Sequence, residues 1–329
     1  MTQQPETEAS QIDRYLTLEL ARASERAAVA AARLRGRGDE MAADLAAAAA
    51  MREELSRLPV RGRIVIGEGD AGAAPALYMG EEIGAGVGPR VDLGVAALEG
   101  STLCAKDMPG SISIAAMAPA GSLLHAPDAY MDKIAIGPGY PEGTVDLDRD
   151  PGDNVRALAI AKGVRPSEIT VSILDRPRHA DIIRACRNAG ACVRLITDGD
   201  VATIILTTHP WETGVDMYLG RGGASEGVLA ACVLRCAGGQ MQGRLALESR
   251  DQIAKAQRFG RIDPRRKYSV GDMAAGDVVV CVTGVTGGPL VGGVSLGKTT
   301  IETETIVYRS ATGTIRRIHA MHQAVGKFD

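Results

Sequence analysis

Short apolar segments that alternate with helical patterns are the feature that most constrains the fold of this chain. In chain order, they are a strand at 169–174, a helix at 178–189, a strand at 192–196, a short apolar segment at 201–206, a strand at 215–219 and a helix at 224–236. Alternation of this kind predicts an α/β domain with a largely parallel sheet.

The N-terminal part follows a different pattern. Helical periodicity over 12–34 is followed by a second helix that Asp39 caps and Pro59 stops, while 1–11 is expected to be disordered. The strand candidates are 63–66, 91–97, 111–117 and 133–136, and then 277–283, 302–308 and 314–318 near the end of the chain. The pattern predicts a meandering sheet covered by two helices. We therefore expect an α+β domain over 12–143 and an α/β domain over 144–329.

Charge and composition exclude several functional classes. The net charge is −3 and the basic residues are dispersed, which argues against binding of nucleic acid or a membrane surface. The sequence has neither a bilayer-length apolar run nor a signal-peptide pattern, so we expect a cytoplasmic protein. Cys232 and Cys236 lie four residues apart with no histidine nearby, which favours buried thiols over a zinc site.

Carboxylates at predicted strand ends indicate chemistry. Glu68 and Asp70 follow an apolar strand and alternate with glycines, and Glu99 follows the next strand, before Gly100 and Ser101. An acid at such a place is often a metal ligand, although a polar turn explains the same residues. Asp44 lies on an apolar stripe of the second helix, where it either binds a cation or reaches solvent or an arginine.

Other residues suit phosphate and sugar groups. Gly222 and Gly223 open a helix, an arrangement that favours phosphate and equally favours tight packing, and Glu226 lies in its first turn. The cations Arg176 and Arg178 follow a strand, where they fit a second phosphate. Asp198 and Asp200 would accept hydrogen bonds from sugar hydroxyl groups or merely form an Asx turn. Together, the carboxylates suit Mg²⁺ or Mn²⁺, and two such ions hydrolyse phosphate esters by activating water.

Motifs along almost the whole chain, from about 18 to 318, carry a family resemblance. They are GRGD at 36–39 with AD at 43–44, IVIGEG at 64–69, APALYMGE at 74–81, HAPDAYM at 125–131, PRH at 177–179, DGDV at 198–201, GGASEG at 222–227, TGVT at 283–286, TET at 303–305 and TIRR at 314–317. In this order they resemble the motifs of class II fructose-1,6-bisphosphatases, the GlpX family.

The resemblance implies a fold, an activity and a set of site residues. The fold would be the layered sugar-phosphatase fold of the fructose-1,6-bisphosphatase and inositol monophosphatase type. The activity would be metal-dependent hydrolysis of the 1-phosphate of fructose 1,6-bisphosphate, in some lineages also of sedoheptulose 1,7-bisphosphate, in a homo-oligomer with Mn²⁺ or Mg²⁺. The implied metal ligands are Asp44, Glu68, Glu99 and Glu226. The catalytic residues would be Ser101, Glu68 and Asp70, and the substrate contacts Glu99, Gly100, Ser101, Tyr130, Arg176, Arg178, Asp198, Asp200 and Gly223.

Departures from the family pattern concentrate at the metal site. Ala96 stands where the family has a metal-binding aspartate, and Gly72 and Ala73 replace an acidic pair. Asp70, two residues beyond Glu68, is the candidate for partial compensation. Three interpretations remain open: a phosphatase with a reduced metal site, a non-hydrolytic paralogue that binds sugar phosphates, and a phosphatase with a changed substrate.

Overall fold

The computed structural model describes residues 16–72, 74–247, 253, 263, 265–323 and 325–328. The α-helices, in chain order, are α1 (Thr17–Ala32), α2 (Glu40–Leu55), α3 (Ser101–Ala105), α4 (Pro151–Lys162), α5 (Ala180–Asn188), α6 (Asp200–Leu206), α7 (Pro210–Thr213), α8 (Ala224–Ala237) and α9 (Val270–Met273). The predicted disorder over 1–11 and the predicted start of the first helix at Ile12 lie outside the described residues.

The β-strands complete the list of regular elements. They are β1 (Arg61–Ile66), β2 (Glu82–Ile83), β3 (Arg90–Glu99), β4 (Ile112–Pro119), β5 (Tyr130–Ile136), β6 (Thr170–Leu174), β7 (Cys192–Ile196), β8 (Met217–Gly223), β9 (Gln240–Ala246), β10 (Tyr268–Ser269), β11 (Val279–Gly284), β12 (Ser295–Leu296), β13 (Ile301–Arg309) and β14 (Thr314–His322).

The chain forms two units whose boundaries differ from the predicted 12–143 and 144–329. The first unit combines Met1–Leu124 with Ala274–Asp329, and the second is His125–Met273. The reason is long-range strand pairing: β11 pairs antiparallel with both β4 and β13, and all six of its residues are buried. The end of the chain therefore completes the N-terminal sheet.

The sheet of the first unit has eight strands, in the order β12-β13-β11-β4-β3-β1-β2, with β14 paired to β13. The pair β1 and β3 runs parallel, whereas the other pairs in this sheet are antiparallel. The predicted simple meander is thus wrong, and the predicted strand 133–136 belongs to the second unit. The two N-terminal helices do cover this sheet, since α1 packs on β4 and β11 and α2 packs on β3.

Alanine allows α1 and α2 to pack closely against each other and against the sheet. Ala27, Ala43 and Ala47 are fully buried, and Met51 and Leu93 fill the space between the layers. The predicted cap of the second helix is confirmed, because Asp39 accepts a hydrogen bond of 2.9 Å from the Ala42 N–H.

The sheet of the second unit has six strands, in the order β10-β9-β5-β8-β6-β7. Only the pairs of β6 with β7 and β8 are parallel, so the predicted largely parallel sheet is mixed. The cause is β5, which pairs antiparallel with both β8 and β9. The apolar segment 201–206 is part of a helix, α6. Helix α4 was not predicted, although Asp150 caps it, Pro151 begins it and Gly163 ends it with a φ of +73°.

Cys232 and Cys236 are buried on α8, as the sequence predicted. Burial raises the pKa of the Cys232 thiol. None of the described helices combines the length and apolar character needed to cross a membrane.

A chain of buried hydroxyl groups joins α1 to the sheet of the first unit. The Thr283 hydroxyl lies 2.8 Å from the hydroxyl of Ser24 on α1 and 2.8 Å from that of Thr305 on β13. All three residues are fully buried. Thr283 is therefore the shared partner of two polar groups that water does not reach.

We predict that Thr283→Val lowers the free energy of unfolding by about 1–3 kcal/mol, because it leaves two buried hydroxyl groups without their common partner. Urea denaturation measures the loss. The matched substitution Thr299→Val is at an exposed residue and should change stability by less than about 0.5 kcal/mol. Equal stability of the two variants would contradict the hydroxyl chain.

Candidate functional site

Glu68 bridges the ends of two parallel strands in the first unit. It lies two residues beyond β1, and its Oε1 accepts a hydrogen bond of 2.7 Å from the Ala97 N–H on β3. Because β1 and β3 are parallel neighbours, both end at the same edge of the sheet. The Glu68 carboxylate thus lies beside the backbone next to Ala96, on the strand that ends with Glu99. Glu99 is only 8% exposed.

The turn after β1 requires glycine. A Cβ on Gly67 would overlap the Leu77 carbonyl oxygen, which accepts a hydrogen bond of 3.0 Å from the Glu68 N–H. Asp70 is exposed farther along this turn, and Gly72 has open space around it. Ala73, the other position of the missing acidic pair, lies outside the described residues. The turn therefore fixes the Glu68 backbone and leaves the Asp70 side chain in solvent.

Gly100 starts the short helix α3 in the left-handed region, with a φ of +77°. Ser101 and Thr102 follow at its first two positions, and both are half-buried. The Ser111 hydroxyl donates to the Glu99 carbonyl oxygen at 3.0 Å, and the Ser111 N–H donates to the Thr286 hydroxyl at 2.9 Å. Ser111 therefore supports the backbone of the Glu99–Ser101 turn. Its supporting role was missed, because only the structure brings β4 and β11 together here.

Asp44 lies half-buried on α2, the helix that packs against both β3 and α3. Burial raises the pKa of this carboxyl above its usual value. In the part of the chain that the structure describes, no three His, Cys, Asp or Glu side chains are close enough together to hold a metal ion. Within the first unit, Asp44, Glu68 and Glu99 therefore do not form a preassembled group. Their oxygen donors nevertheless suit a hard divalent cation.

Asp200 lies in the interior of the second unit. Its Oδ2 accepts hydrogen bonds from the Lys133 ammonium at 2.5 Å and from the Tyr218 hydroxyl at 3.3 Å. Lys133 is fully buried, and its Nζ also donates to the Gly223 carbonyl oxygen at 2.9 Å. Sequence reasoning missed Lys133, although a lysine among the apolar residues of β5 was a usable signal.

Glu226 lies in the first turn of α8, where its carboxylate folds back over Gly223. A Cβ on Gly223 would overlap this carboxylate. Burial is the main cause that raises the pKa of Glu226, the negative charge of Asp200 adds to it, and Lys133 opposes it. The structure therefore brings Asp200, Gly223 and Glu226 together, three of the predicted site residues.

Tyr130 and Arg178 form a second cluster in this unit. The Arg178 guanidinium lies 5.0 Å from the centre of the Tyr130 ring and donates to the Arg221 carbonyl oxygen at 3.0 Å. Tyr130 and Arg178 are both exposed. Arg176 instead donates to the Thr197 carbonyl oxygen at 2.8 Å, at the start of the turn that carries Asp198. Both arginines thus follow β6, as the sequence predicted, and Arg176 contacts the residue that follows β7.

His179 links the arginine segment to β8. Its Nδ1 lies 2.7 Å from the Leu174 carbonyl oxygen, and its Nε2 accepts a hydrogen bond of 2.9 Å from the Arg221 N–H. These partners assign a neutral ring with the proton on Nδ1. Burial lowers the pKa of His179, in agreement with that form. His179 is therefore a buried residue that holds the Arg221 backbone of β8 beside the segment that carries Arg178.

The layered mixed sheets, the carboxylates at strand ends and the exposed arginines together define a phosphatase fold of the fructose-1,6-bisphosphatase type. The family model described as bacterial fructose-1,6-bisphosphatase, glpX-encoded, matches residues 14–322. The chain belongs to this family. Membership implies dependence on a divalent metal ion in general.

Two relatives resemble the chain over nearly its full length. The D-fructose 1,6-bisphosphatase class 2/sedoheptulose 1,7-bisphosphatase of Synechococcus sp. (strain JA-3-3Ab) is 39% identical over 96% of this chain and 98% of its own length. The fructose-1,6-bisphosphatase 1 class 2 of Escherichia coli (strain K12) is 41% identical over 94% of this chain and 95% of its own length.

We predict that Asp44→Asn stabilises the metal-free protein at pH 7. The folded-state pKa of Asp44 is raised above the unfolded value, so the wild type loses stability as the pH rises from the unfolded pKa through the folded one. Asparagine removes this loss. Thermal unfolding in the presence of a chelator should show the gain at pH 7, and the gain should shrink as the pH falls to about 4, the unfolded pKa. Glu82→Gln, at an exposed acid, is the control; an equal gain there would contradict the prediction.

Proposed function

We propose that this protein removes the 1-phosphate of fructose 1,6-bisphosphate, with sedoheptulose 1,7-bisphosphate as a second substrate. The observation that carries the proposal is the hydrogen bond from the Ala97 N–H to Glu68, in a chain of this family. This hydrogen bond places the Glu68 carboxylate beside β3. That strand ends with Glu99, two residues before Ser101. The names of the relatives support the substrate.

Each predicted ligand would contribute a carboxylate to Mn²⁺ or Mg²⁺. In the first unit these are Asp44, Glu68 and Glu99, and in the second unit Glu226. When bound, the metal would supply an activated water and neutralise charge on the phosphate. The Ser101 hydroxyl would accept a hydrogen bond from the attacking water and so orient it, and Asp70 would supply part of the negative charge that Ala96 lacks.

The second unit offers groups that suit a sugar phosphate. Arg176 and Arg178 would bind phosphate oxygens, since guanidinium groups pair with them in forked geometry. The N-terminus of α8 at Gly223 would add backbone N–H donors. The exposed ring of Tyr130 would contact the ligand. The Asp198 carboxylate would accept hydrogen bonds from hydroxyl groups of the sugar. We further propose that the protein acts in the cytoplasm as a homo-oligomer, in carbohydrate metabolism and gluconeogenesis.

Ala96 favours a second candidate function, a non-hydrolytic or weakly active paralogue that binds sugar phosphates. Loss of one ligand removes a negative charge, and affinity for a divalent cation depends on ligand charge and number. A third candidate, a phosphatase with another sugar phosphate as its substrate, is favoured by the departures at Gly72 and Ala73, which would reshape the pocket.

We predict phosphate release from fructose 1,6-bisphosphate that requires Mn²⁺ or Mg²⁺ and stops with a chelator. A colorimetric phosphate assay over a panel of sugar and cyclitol phosphates measures it. Glu68→Ala should lower the rate at least about 100-fold, because a ligand and its charge are lost. Wild-type release no greater than that of Glu68→Ala would favour the non-hydrolytic paralogue, whereas release from another phosphate alone would favour the changed substrate.

We predict that Ala96→Asp tightens Mn²⁺ binding about tenfold or more, since it restores a carboxylate beside the one that Glu68 contributes. Isothermal titration calorimetry measures binding without turnover. Thr299→Asp adds the same charge at an exposed residue elsewhere in the first unit and serves as the control. If both variants bind Mn²⁺ as the wild type does, Ala96 is not the gap that limits the metal site.

A further inference from the structure

Lys133 is a buried cation that has no role in the function proposed above. It lies in β5 between Asp132 and Ile134, and no part of it is exposed. Moving an ammonium group out of water is costly unless charged or polar partners replace the water. The partners of Lys133 therefore show what the lysine does.

The Lys133 ammonium connects the beginnings of two helices. Asp200, which it contacts at 2.5 Å, is the first residue of α6. Gly223, whose carbonyl oxygen it contacts at 2.9 Å, is the N-cap of α8. These helix beginnings carry Asp198, Gly223 and Glu226, all of them predicted site residues. One side chain thus sets the distance between two segments that are far apart in the sequence.

The space around this ammonium is closed by glycines. A Cβ on Gly222 would overlap the Asp200 carboxylate and would come within 3.0 Å of the Lys133 Nζ. A Cβ on Gly227 would lie 3.4 Å from Lys133 Cδ and 2.8 Å from Met131 Sδ. No larger residue fits at Gly222 without displacing the ion pair. The glycine-rich segment at the start of α8 therefore serves to admit this pair, in addition to any phosphate.

We infer that Lys133 is a positioning residue for substrate binding and that Asp200 is its buried counter-ion rather than a group that touches the sugar. The inference rests on the proposed function and deepens it. Asp200 is 5% exposed, and its Oδ2 already receives two hydrogen bonds. Asp198, two residues earlier, is half-buried in the turn formed by Gly199, which has a φ of +79°. Asp198 is therefore the sugar contact, and the Lys133–Asp200 pair holds its turn.

A double-mutant cycle tests this inference. Lys133→Met and Asp200→Asn should each lower the melting temperature by roughly 5–15 °C, because each leaves a buried charge unpaired. The double variant should regain at least half of the loss, since both members of the pair are then uncharged. Its KM for fructose 1,6-bisphosphate should stay raised about tenfold, because the charged hydrogen bond from Asp198 to the sugar is displaced. Its kcat should change less than about threefold.

The chain provides a matched control pair in the same unit. Lys162 contacts the buried Asp216 at 2.5 Å, just before the start of β8, whereas Gly223 is at the end of that strand. Lys162→Met and Asp216→Asn should show the same recovery of melting temperature in the double variant. The KM should equal that of the wild type in this double variant, because no predicted substrate contact depends on the pair.

Different outcomes separate the inference from the proposed function. A wild-type KM in the Lys133→Met/Asp200→Asn variant would overturn the positioning role. Asp200→Asn with an unchanged melting temperature and a raised KM would show that Asp200 itself touches the sugar. If the wild type has no turnover, the proposed function fails. In that case, the measurement is the rise in melting temperature that fructose 1,6-bisphosphate causes. The inference requires that this rise be lost in the Lys133→Met/Asp200→Asn variant and kept in the control double variant. Any other result overturns it.

Discussion

Parallel pairing of β1 with β3 is the constraint on which the positions of Glu68 and Glu99 depend. The other pairs of that sheet are antiparallel, so their strand ends alternate between its two edges. The parallel pair sends two chain segments out at one edge. Glu68 then reaches across to the Ala97 N–H, and Glu99 ends the same strand. The missing acid at Ala96 lies between them in the sequence. We propose that its absence lowers both the cation affinity at this edge of the sheet and the repulsion between the remaining carboxylates.

The second unit places its charges by a different physical device. Its glycines give up side-chain volume, and a buried lysine, two carboxylates and a tyrosine hydroxyl occupy the space. Burial of these charges costs free energy that only complete pairing offsets. The exposed Tyr130 and Arg178 are separate from this interior network, since they contact each other and the Arg221 backbone. The ion pair thus lies inside this unit, and the two residues proposed to contact the ligand lie at its surface.

Much of the fold was predictable from local sequence. Asp39 was identified as a helix cap, and the strand 192–196 was placed with the bounds that the structure gives it. Pairing between distant segments was not predictable, because β11 carries no local sign that it lies between β4 and β13. The predicted two-part division and the predicted parallel sheet are different in the structure for this reason.

The candidate site residues were predictable from the sequence to different degrees, for the same physical reason. Glu68, Glu99 and Arg178 follow strands, so their sequence positions carried the signal. Lys133 and Ser111 act through partners more than 10 residues away in the chain, at Asp200, Gly223, Glu99 and Thr286. For Asp200, the position after a strand predicted a contact with the ligand. In the structure its side chain is buried.

Hydrolysis in water enriched in ¹⁸O tests the central claim most directly. Attack of water on phosphorus puts one labelled oxygen into the released inorganic phosphate and none into the sugar. We predict that ³¹P NMR will show the isotope shift of labelled phosphate when the protein, Mn²⁺ and fructose 1,6-bisphosphate are combined. Unchanged fructose 1,6-bisphosphate, or released phosphate without the label, would contradict metal-dependent hydrolysis by this protein.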